Sequence, residues 1–417
     1  MIQRLIAAVA MTSVLGCGAE QDLSAGEPVE AISDEIVSGS TLTKNYFNVA
    51  VYHRTAGVWF ERPCSGTLVG TVGGYAFVLT AYHCVNESPA ADIRLTTALA
   101  PGKVAPGGQP PAGTVTPHFV YTPSDASVDV PGRDYAVVVA PDTATLKSGI
   151  SASDVWLRPA FTVGTSADFL NRTVRAYGYG RFVLCTSANG PECEIEDANS
   201  GAGVLRSGGA FPITSFSTSQ YKYTNGSGTA VAVTHGDSGG PSVFSYVFQT
   251  PPPQGDDDNY EWRIFTGVHS TAGEGSGYDA SNPNVPKFLQ SLLGRFYVTC
   301  VRGPGGFLRR ASETSGAAVS ANSQSSDTKS AWFYDYTTKQ LRSGNLCLRA
   351  PSSTGSSVTI ATCSTSTSQK WTHTKDLQLK NTAYGTCAAY SSGNVVTRSC
   401  AIDAEQAWVF RIDPDAL

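Results

Sequence analysis

The sequence predicts an all-β protein made of two folded units. Its 417 residues exceed what one ordinary hydrophobic core supports, so two domains are expected. Glycine (42) and proline (23) are frequent while charged residues make up only 15%, a composition typical of chains with many turns. Long helical apolar periodicity is confined to the N-terminus and to residues 285–293, which argues against a helical bundle.

Short β-branched runs separated by turn residues follow one another through much of the chain. They are Asn48–Tyr52, Gly66–Val69, Ala76–Thr80, Tyr135–Val139, Thr173–Tyr177, Ala230–Val233 and Ile264–Val268. This spacing is typical of a β-barrel or sandwich and not of alternating strands and helices.

The first 17 residues have the pattern of an export signal. Arg4 precedes the apolar run Leu5–Val14, which is too short to span a bilayer. The run ends in Val14-Leu15-Gly16-Cys17, which resembles a bacterial lipobox whose cysteine becomes a lipidated N-terminus; the alternative is an ordinary secretory signal. Residues 18–35 are polar and aperiodic, as expected of a propeptide or tether. We therefore expect an exported protein, either lipid-anchored to a bacterial membrane as a precursor or released after processing.

Export permits disulfides, and most cysteines fall into local groups. The groups are Cys64 with Cys84, Cys185 with Cys193, Cys347 with Cys363, and Cys387 with Cys400. Cys17 and Cys300 are left over. If Cys17 is lipidated, Cys300 is a free thiol, and otherwise the two can pair; the sequence leaves the connectivity open.

The chain gives no indication of a cofactor, a metal or a nucleic-acid partner. Its net charge is −5, and no cluster of Lys and Arg offers a footprint for nucleic acid. The acidic loop 254–259 contains Asp256, Asp257 and Asp258 but lacks the alternating ligand spacing of a calcium loop, so we expect a solvated loop.

Three short motifs carry the candidate chemistry. They are Thr80-Ala81-Tyr82-His83-Cys84 at a strand end, Arg133-Asp134-Tyr135-Ala136-Val137-Val138 at the start of a buried strand, and Gly236-Asp237-Ser238-Gly239-Gly240-Pro241. Each alone has an ordinary interpretation, as a surface histidine, a turn-forming aspartate or a glycine-rich loop. In this order the set resembles the trypsin/chymotrypsin-like serine proteases, whose catalytic residues run His, Asp, Ser along the chain.

The resemblance implies a two-barrel protease domain over residues 36–297 that hydrolyses bonds in proteins or peptides. It assigns His83, Asp134 and Ser238 to a catalytic triad, and the backbone N–H groups of Gly236 and Ser238 to an oxyanion hole.

Two further segments extend the resemblance. Cys64-Ser65-Gly66-Thr67-Leu68 resembles the family segment whose cysteine bridges to the one after the catalytic histidine, here Cys84. Tyr177-Gly178-Tyr179-Gly180 stands where the family usually has Gly-Trp-Gly. The chain departs from the family in having no cysteine just before Ser238.

Ile36-Val37-Ser38-Gly39 resembles the mature N-terminus of these enzymes. In the family, cleavage there frees an amino group that pairs in the interior with the aspartate preceding the nucleophile, here Asp237. The alternative is that Ile36 and Val37 simply belong to a first strand. Cleavage after Glu35 would also release the enzyme from a lipid at Cys17.

The specificity pocket is expected to take acidic or small neutral side chains. Trypsin itself has an aspartate six residues before the nucleophile; Ala232 stands there, so Lys or Arg preference is not expected. Gly267-Val268-His269-Ser270 resembles the glutamate-specific bacterial branch, and a charged His269 would favour an acidic residue before the scissile bond (P1). The opposite wall is Ser270-Thr271-Ala272, and the hydroxyls of Ser270 and Thr234 are further candidate donors. In the alternative, His269 is only a hydrogen-bonded wall residue of a small neutral pocket.

Residues 298–417 are rich in Ser, Thr and Gly and contain a threefold repeat. Leu308-Arg309-Arg310 leads to Ser330-Ala331-Trp332, Cys347-Leu348-Arg349 to Gln369-Lys370-Trp371, and Cys387-Ala388-Ala389 to Gln406-Ala407-Trp408. The Gln-x-Trp endings resemble ricin-B-type β-trefoil modules, in which three units close one core that we expect to contain the tryptophans.

The trefoil family's sugar-binding aspartate, just after Cys-Leu, is replaced in every repeat. Arg349 and Ala389 occupy this position in two repeats, and Arg309 or Arg310 in the first, which also lacks both cysteines. Glycan binding and a spacer or protein-docking role therefore both stay open.

The leading hypothesis is an exported serine endopeptidase with an accessory module. One alternative is a catalytically silent protease-like protein that binds glycans or surfaces through the trefoil; the intact triad positions argue against it. An esterase is disfavoured because Asp237 directly precedes Ser238, unlike the Gly-x-Ser-x-Gly elbow of such enzymes.

Overall fold

A computed structural model describes the greater part of the chain. The described residues are 40–72, 74–86, 88–123, 126–127, 133–150, 170–180, 203–217, 220–224, 237–249, 259–272, 277–281, 299–323, 328–335, 337–374 and 376–411. The expectations for the signal and Cys17, residues 18–35, Ile36, Cys185, Cys193, Ala232, Thr234, Gly236 and the acidic residues 256–258 lie outside them. Within the described parts, no helix has the length and apolarity needed to cross a membrane.

The first barrel is a curled antiparallel sheet, as the short β-branched runs predict. Its strands are β2 (Asn48–Thr55), β3 (Val58–Trp59), β4 (Cys64–Val72), β5 (Tyr75–Thr80), β6 (Ile93–Thr96), β7 (Phe119–Tyr121) and β8 (Ala136–Pro141), and β1 (Ser40–Thr41) precedes them. They are ordered β3-β2-β4-β5-β8-β7, with β6 paired to β2. Two 3-10 turns (Tyr82–Cys84 and Ala90–Asp92) lie between β5 and β6, and the short helix α1 (Ala144–Lys147) follows β8.

Strand β8 runs through the core of this barrel. All of its residues from Ala136 to Ala140 are buried, as expected of a continuous apolar run without polar alternation. It pairs with β5 so that Thr80 lies opposite Ala136. This register brings the residues just after β5 close to those just before β8.

The second barrel closes on itself. Its strands are β9 (Thr173–Gly178), β10 (Arg206–Ser217), β11 (Gln220–Thr224), β12 (Pro241–Gln249), β13 (Asn259–Ala272) and β14 (Gly277–Ser281). They are ordered β10-β11-β14-β13-β12-β9, and β9 pairs again with β10, which completes the ring; β1 adds to the edge of β10. Phe265 and Val268 of β13 belong to the same hydrophobic cluster as the core of the first barrel, so the two barrels pack together.

The C-terminal unit is a twelve-stranded trefoil. Its strands are β15 (Thr299–Gly303), β16 (Gly306–Arg310), β17 (Val319–Ser323), β18 (Ala331–Asp335), β19 (Gln340–Ser343), β20 (Leu346–Arg349), β21 (Thr359–Thr362), β22 (Trp371–His373), β23 (Leu379–Asn381), β24 (Cys387–Ser391), β25 (Asn394–Arg398) and β26 (Val409–Arg411). Three 3-10 turns recur at equivalent places, at Thr328–Ser330, Thr367–Gln369 and Ala404–Gln406.

The three repeat tryptophans form the centre of this unit, which confirms the expectation that they are core residues. Trp332, Trp371 and Trp408 are at most 1% exposed. Their indole N–H groups donate to the carbonyls of Leu308, Leu348 and Ala388 at 2.7, 2.9 and 2.9 Å. The same hydrogen bond therefore recurs in all three repeats and gives each buried indole N–H a partner.

The glutamines of the repeat hold the loop before each tryptophan. Gln369 accepts from the N–H of Ser364 and donates to the carbonyl of Thr362. Gln406 makes the equivalent pair of bonds, so both amide ends are satisfied. These buried glutamines therefore have a structural role.

The first repeat replaces the glutamine with Ser330 and is held in a different way. Arg310 is 4% exposed and donates to the carbonyl of Ala331 at 3.2 Å and to the hydroxyl of Ser343. Its guanidinium also lies 5.8 Å from the ring centre of Trp332, within cation–π range. The first repeat lacks both a disulfide and the glutamine before its tryptophan, and the buried Arg310 links its strands instead.

Three disulfides are present in the described chain. They join Cys64 to Cys84, Cys347 to Cys363, and Cys387 to Cys400. The Cys347–Cys363 bond lies within the second trefoil repeat and the Cys387–Cys400 bond within the third, in agreement with the local groups seen in the sequence.

We expect the trefoil to lose stability as the pH falls from 6.5 to 4, because His373 is buried in it. Its Nε2 lies 2.7 Å from the carbonyl of Trp408, its ring packs 4.4 Å from that of Phe410, and burial lowers its pKa to about 4. A lowered pKa means that the unfolded chain binds the proton more readily, so acid favours unfolding. The contribution of this group between pH 7.5 and 5 is about 2 kcal/mol.

The measurement is the free energy of unfolding of the full chain against pH, compared with a His373→Gln variant. The variant should show a shallower acid dependence between pH 7.5 and 5. Equal slopes for the two proteins would contradict the assignment.

Candidate active site

His83 and Asp134 meet where β5 ends and β8 begins. The 3-10 turn Tyr82–Cys84 follows β5 by one residue and turns His83 towards the start of β8. The backbone N–H of His83 donates to Asp134 Oδ1 at 3.0 Å, and Nδ1 lies 2.8 Å from Asp134 Oδ2. The carboxylate side chain is 2% exposed and the imidazole 33%, so a buried acid backs a histidine that reaches the surface.

Ser270 completes the hydrogen bonding of this carboxylate. Its hydroxyl donates to Asp134 Oδ2 at 2.6 Å. This corrects the expectation that Ser270 adds a hydroxyl donor to the specificity pocket, because its proton is committed to Asp134. With three donors around it, the carboxylate is held as an acceptor, and the neutral imidazole of His83 then has its proton on Nδ1 and a lone pair on Nε2.

Ser238 lies on a turn whose backbone is tied to the segments around His83. Its carbonyl accepts from the N–H of Ser65 at 2.8 Å and lies 3.7 Å from Sγ of Cys84. The Cys64–Cys84 disulfide joins the residues next to Ser65 and His83, so a covalent link fixes both sides of this turn. The three motifs found in the sequence therefore converge on one region.

The described residues contain one group with the spacing of metal ligands, made of Cys64, His83 and Cys84. Both cysteines are consumed in the disulfide, so they offer no thiolate to a metal ion. The disulfide in this group instead holds together the two segments that carry Ser65 and His83.

The two glycines after Ser238 are required by close backbone contacts. Gly239 has φ +85°, and a Cβ there would lie 2.2 Å from the carbonyl of Ser65 and from the hydroxyl of Thr80. A Cβ at Gly240 would lie 2.2 Å from the carbonyl of Tyr177. Only glycine allows the turn to sit this tightly against the first barrel and β9.

Asp237 points away from Ser238 into a glycine-lined recess. It is 2% exposed, and its Oδ1 accepts from the N–H of Gly180 at 2.8 Å. A Cβ at Gly178 would lie 2.2 Å from Oδ1, which explains the glycines of the Tyr-Gly-Tyr-Gly segment. Burial lowers the pKa of Arg206 and the charge of Asp237 opposes this, so the two side chains interact electrostatically.

His269 lies on β13 and is hydrogen-bonded to the turn that bears Ser238. Its carbonyl accepts from the N–H of Gly239 at 2.8 Å, and its N–H donates to the carbonyl of Gly240 at 2.9 Å. Its imidazole is 2% exposed, Nδ1 lies 2.7 Å from the hydroxyl of Tyr223, and Nε2 has no hydrogen-bond partner among the described residues. Burial lowers its pKa to about 3, and a hydrogen bond with the backbone of Pro241 opposes this, so the imidazole is neutral in the substrate-free protein. Ala272 ends the same strand.

Two roles in this site were not anticipated from the sequence. The sequence predicts Ser270 in the pocket wall, whereas its hydroxyl donates to the carboxylate of Asp134, and its position directly after His269 gives no indication of this contact. Tyr223 was not singled out at all, because a tyrosine in a strand is ordinarily a core residue. Both roles depend on which strands become neighbours.

Two antiparallel barrels, with a histidine–carboxylate pair and a glycine-flanked serine turn between them, define the class of chymotrypsin-type proteases. The chain belongs to the trypsin family, since the family described as Trypsin matches residues 36–290. The family described as Ricin-type beta-trefoil lectin domain matches residues 302–415, in agreement with the twelve-stranded unit.

Solved structures with the same fold are only distantly similar. One, described as HL collagenase, is 16% identical with a TM-score of 0.41 and covers 62% of this chain and 99% of its own. Another, the scabies mite inactivated protease paralogue S-I1, is 15% identical with a TM-score of 0.38 and covers 61% of this chain and 98% of its own. Among curated proteins, none matches the sequence.

Proposed function

We propose that this chain is an exported serine endopeptidase that hydrolyses peptide bonds with His83, Asp134 and Ser238. The observation that carries the proposal is the imidazole–carboxylate pair, whose Nδ1–Oδ2 distance is 2.8 Å, beside the turn that bears Ser238. A serine hydroxyl is a weak nucleophile at neutral pH and needs an adjacent base, which this pair supplies.

The mechanism follows from the protonation state of the pair. With Nδ1–H bonded to Asp134, the lone pair of His83 Nε2 accepts the proton of Ser238 as the hydroxyl attacks the scissile carbonyl. The backbone N–H groups of Gly236 and Ser238 stabilise the oxyanion, His83 then protonates the leaving amine, and water hydrolyses the acyl-enzyme by the reverse sequence. No cofactor is required for these steps.

The test of activity is reaction with a fluorophosphonate probe. The processed protein should be labelled at Ser238, and a Ser238→Ala variant should not be labelled or cleave peptides. The matched control is Ser148→Ala, which removes the hydroxyl of an exposed serine just after α1. A processed, folded protein that the probe does not label would favour the alternative of a catalytically silent, surface-binding protein.

We propose that the enzyme is made as an exported, lipid-anchored precursor and activated by cleavage between Glu35 and Ile36. The lipobox-like Val14-Leu15-Gly16-Cys17 and the Ile36-Val37-Ser38-Gly39 segment support this order of events. Asp237 is buried next to Ser238, and in the family the aspartate at this position pairs with the new amino group. N-terminal sequencing of active enzyme should begin at Ile36, and any residue upstream of it would contradict the proposal.

We propose that the pocket prefers an acidic P1 side chain. His269 supports this, because a buried imidazole with an unused nitrogen beside the Ser238 turn can bind a substrate carboxylate. A panel of peptides that differ only at P1 measures the preference. A strong preference for Arg would refute it, and equal cleavage after Ala and Glu would favour the small neutral pocket.

We propose that the trefoil is an accessory module that holds the enzyme on glycan-bearing or proteinaceous surfaces. The buried tryptophans are occupied in the core, and Arg309, Arg349 and Ala389 replace the expected sugar-binding aspartates, so any glycan site differs from the family's usual one. Glycan-array binding by the full-length Ser238→Ala variant, which cannot digest itself, tests the module. If the variant binds no glycan on the array, the result favours docking on protein surfaces.

A further inference from the structure

We propose that Tyr223 is a positioning residue for substrate selection: its hydroxyl donates to Nδ1 of His269 and so presents Nε2–H as the donor that meets an acidic P1 side chain. This inference rests on the proposed endopeptidase function with an acidic pocket. It adds the residue that determines which nitrogen of His269 carries the proton.

The first support is the geometry of the imidazole. Nδ1 of His269 lies 2.7 Å from the hydroxyl of Tyr223, a short hydrogen bond between two side chains that are both buried. The hydroxyl of Ser242 lies further from Nδ1, at 3.4 Å. Tyr223 thus makes the main contact with this nitrogen.

The second support is the position of the opposite nitrogen. A Cβ on Gly240 would lie 3.1 Å from Cδ2 of His269, and Cδ2 is bonded to Nε2. The side of the ring that contains Cδ2 therefore lies against the turn that carries Ser238 two residues earlier. Nε2 is buried and lacks a hydrogen-bond partner among the described residues, which is costly unless a substrate group supplies one.

The third support is the charge state. In the substrate-free protein burial keeps the imidazole neutral, although a hydrogen bond with the backbone of Pro241 opposes this, so the ring has a single proton to place on one of its two nitrogens. If the phenol donates to Nδ1, that proton is on Nε2, and the pocket presents a donor suited to a carboxylate oxygen. If Nδ1 donates to the phenol, Nε2 is an acceptor and repels a carboxylate. A tyrosine that donates therefore selects acidic over neutral side chains.

The chain offers a matched control in Tyr221. It lies on the same strand, is equally buried, and its hydroxyl lies 2.9 Å from that of Thr266. Tyr221→Phe and Tyr223→Phe thus each remove one buried, hydrogen-bonded hydroxyl, but only the second removes the contact with His269.

The experiment measures kcat/KM of processed enzyme for peptides with Glu or Ala at P1. Tyr223→Phe should lower the Glu-to-Ala ratio about 10- to 100-fold, the range for losing one buried hydrogen bond, while Tyr221→Phe leaves it unchanged. If the wild-type enzyme prefers Glu and Tyr223→Phe keeps the full ratio, or if both variants reduce it equally, the inference is overturned and the proposed function stands.

A second readout does not depend on activity. The chain has six histidines, so imidazole ¹⁵N shifts of the full chain can be assigned to His269 by comparison with a His269→Gln variant. The neutral ring should have its proton on Nε2, and a proton on Nδ1 would overturn the inference. If the wild-type enzyme shows no preference for Glu, the acidic-pocket proposal fails, and this spectrum still decides the role of Tyr223.

Discussion

Replacing Asp134 with asparagine is expected to lower kcat about 10⁴-fold, the magnitude typical of this substitution in the family. The carboxylate accepts three hydrogen bonds, from the backbone N–H and Nδ1–H of His83 and from the hydroxyl of Ser270. Asparagine has one acceptor and one donor end, so either orientation of its amide opposes one of these donors. An amide N–H facing Nδ1 would move the proton of His83 to Nε2, the atom that accepts the proton of Ser238 in the proposed mechanism.

The measurement is kcat for a peptide substrate together with the rate of fluorophosphonate labelling. Asp142→Asn is the control, since it neutralises an aspartate of the same barrel that pairs with Lys147, outside the candidate site. It should leave kcat unchanged because a partly exposed ion pair contributes little. A loss of less than tenfold in Asp134→Asn would mean that this carboxylate does not orient the catalytic base.

Replacing Trp408 with alanine is expected to destabilise the trefoil by about 3–5 kcal/mol, the range for removing a large buried aromatic side chain. The indole is 0% exposed, and its N–H donates to the carbonyl of Ala388 at 2.9 Å. A Cβ on Gly303 would lie only 2.5 Å from its ring, so the surroundings are packed tightly against it. The substitution leaves both a cavity and an unsatisfied carbonyl.

Chemical denaturation of the full chain measures this loss. Trp408→Phe keeps part of the volume and should cost less, while Ile402→Ala, at a side chain 67% exposed, should change stability by no more than about 0.5 kcal/mol. A cost below about 1 kcal/mol for Trp408→Ala would show that the three tryptophans do not form one core.

Local sequence patterns predicted the all-β class, and the resemblance of the motifs to two families predicted the fold of each unit. The run Tyr135–Val139 predicted a buried strand, and the three repeats ending in tryptophan predicted one shared core; the structure contains both, with the strand buried from Ala136 to Ala140. The cysteines formed local groups whose connectivity the sequence left open, and the structure pairs Cys347 with Cys363 and Cys387 with Cys400, which are 16 and 13 residues apart. Such features follow from side-chain period and chain proximity, which a sequence displays directly.

The candidate site was predictable only in its residue types. His83 and Asp134 could be named from their motifs, but their hydrogen bond spans 51 residues and depends on the register of β5 against β8. The sequence alone predicts Ser270 in the pocket and a His269 that is charged beside an acidic substrate side chain. Neither assignment could allow for burial or for neighbours on other strands.

The amino-acid sequence alone determined the all-β class, the order of the two units and the residues worth testing, because periodicity, repeats and motifs are local properties of the chain. The tertiary structure decided what each polar group does. Packing directs the hydroxyl of Ser270 to a carboxylate 136 residues away, removes water from His269 and brings Tyr223 to its Nδ1. Hydrogen-bond partners and pKa values depend on burial and on distances through space, and neither is set until the strands have paired.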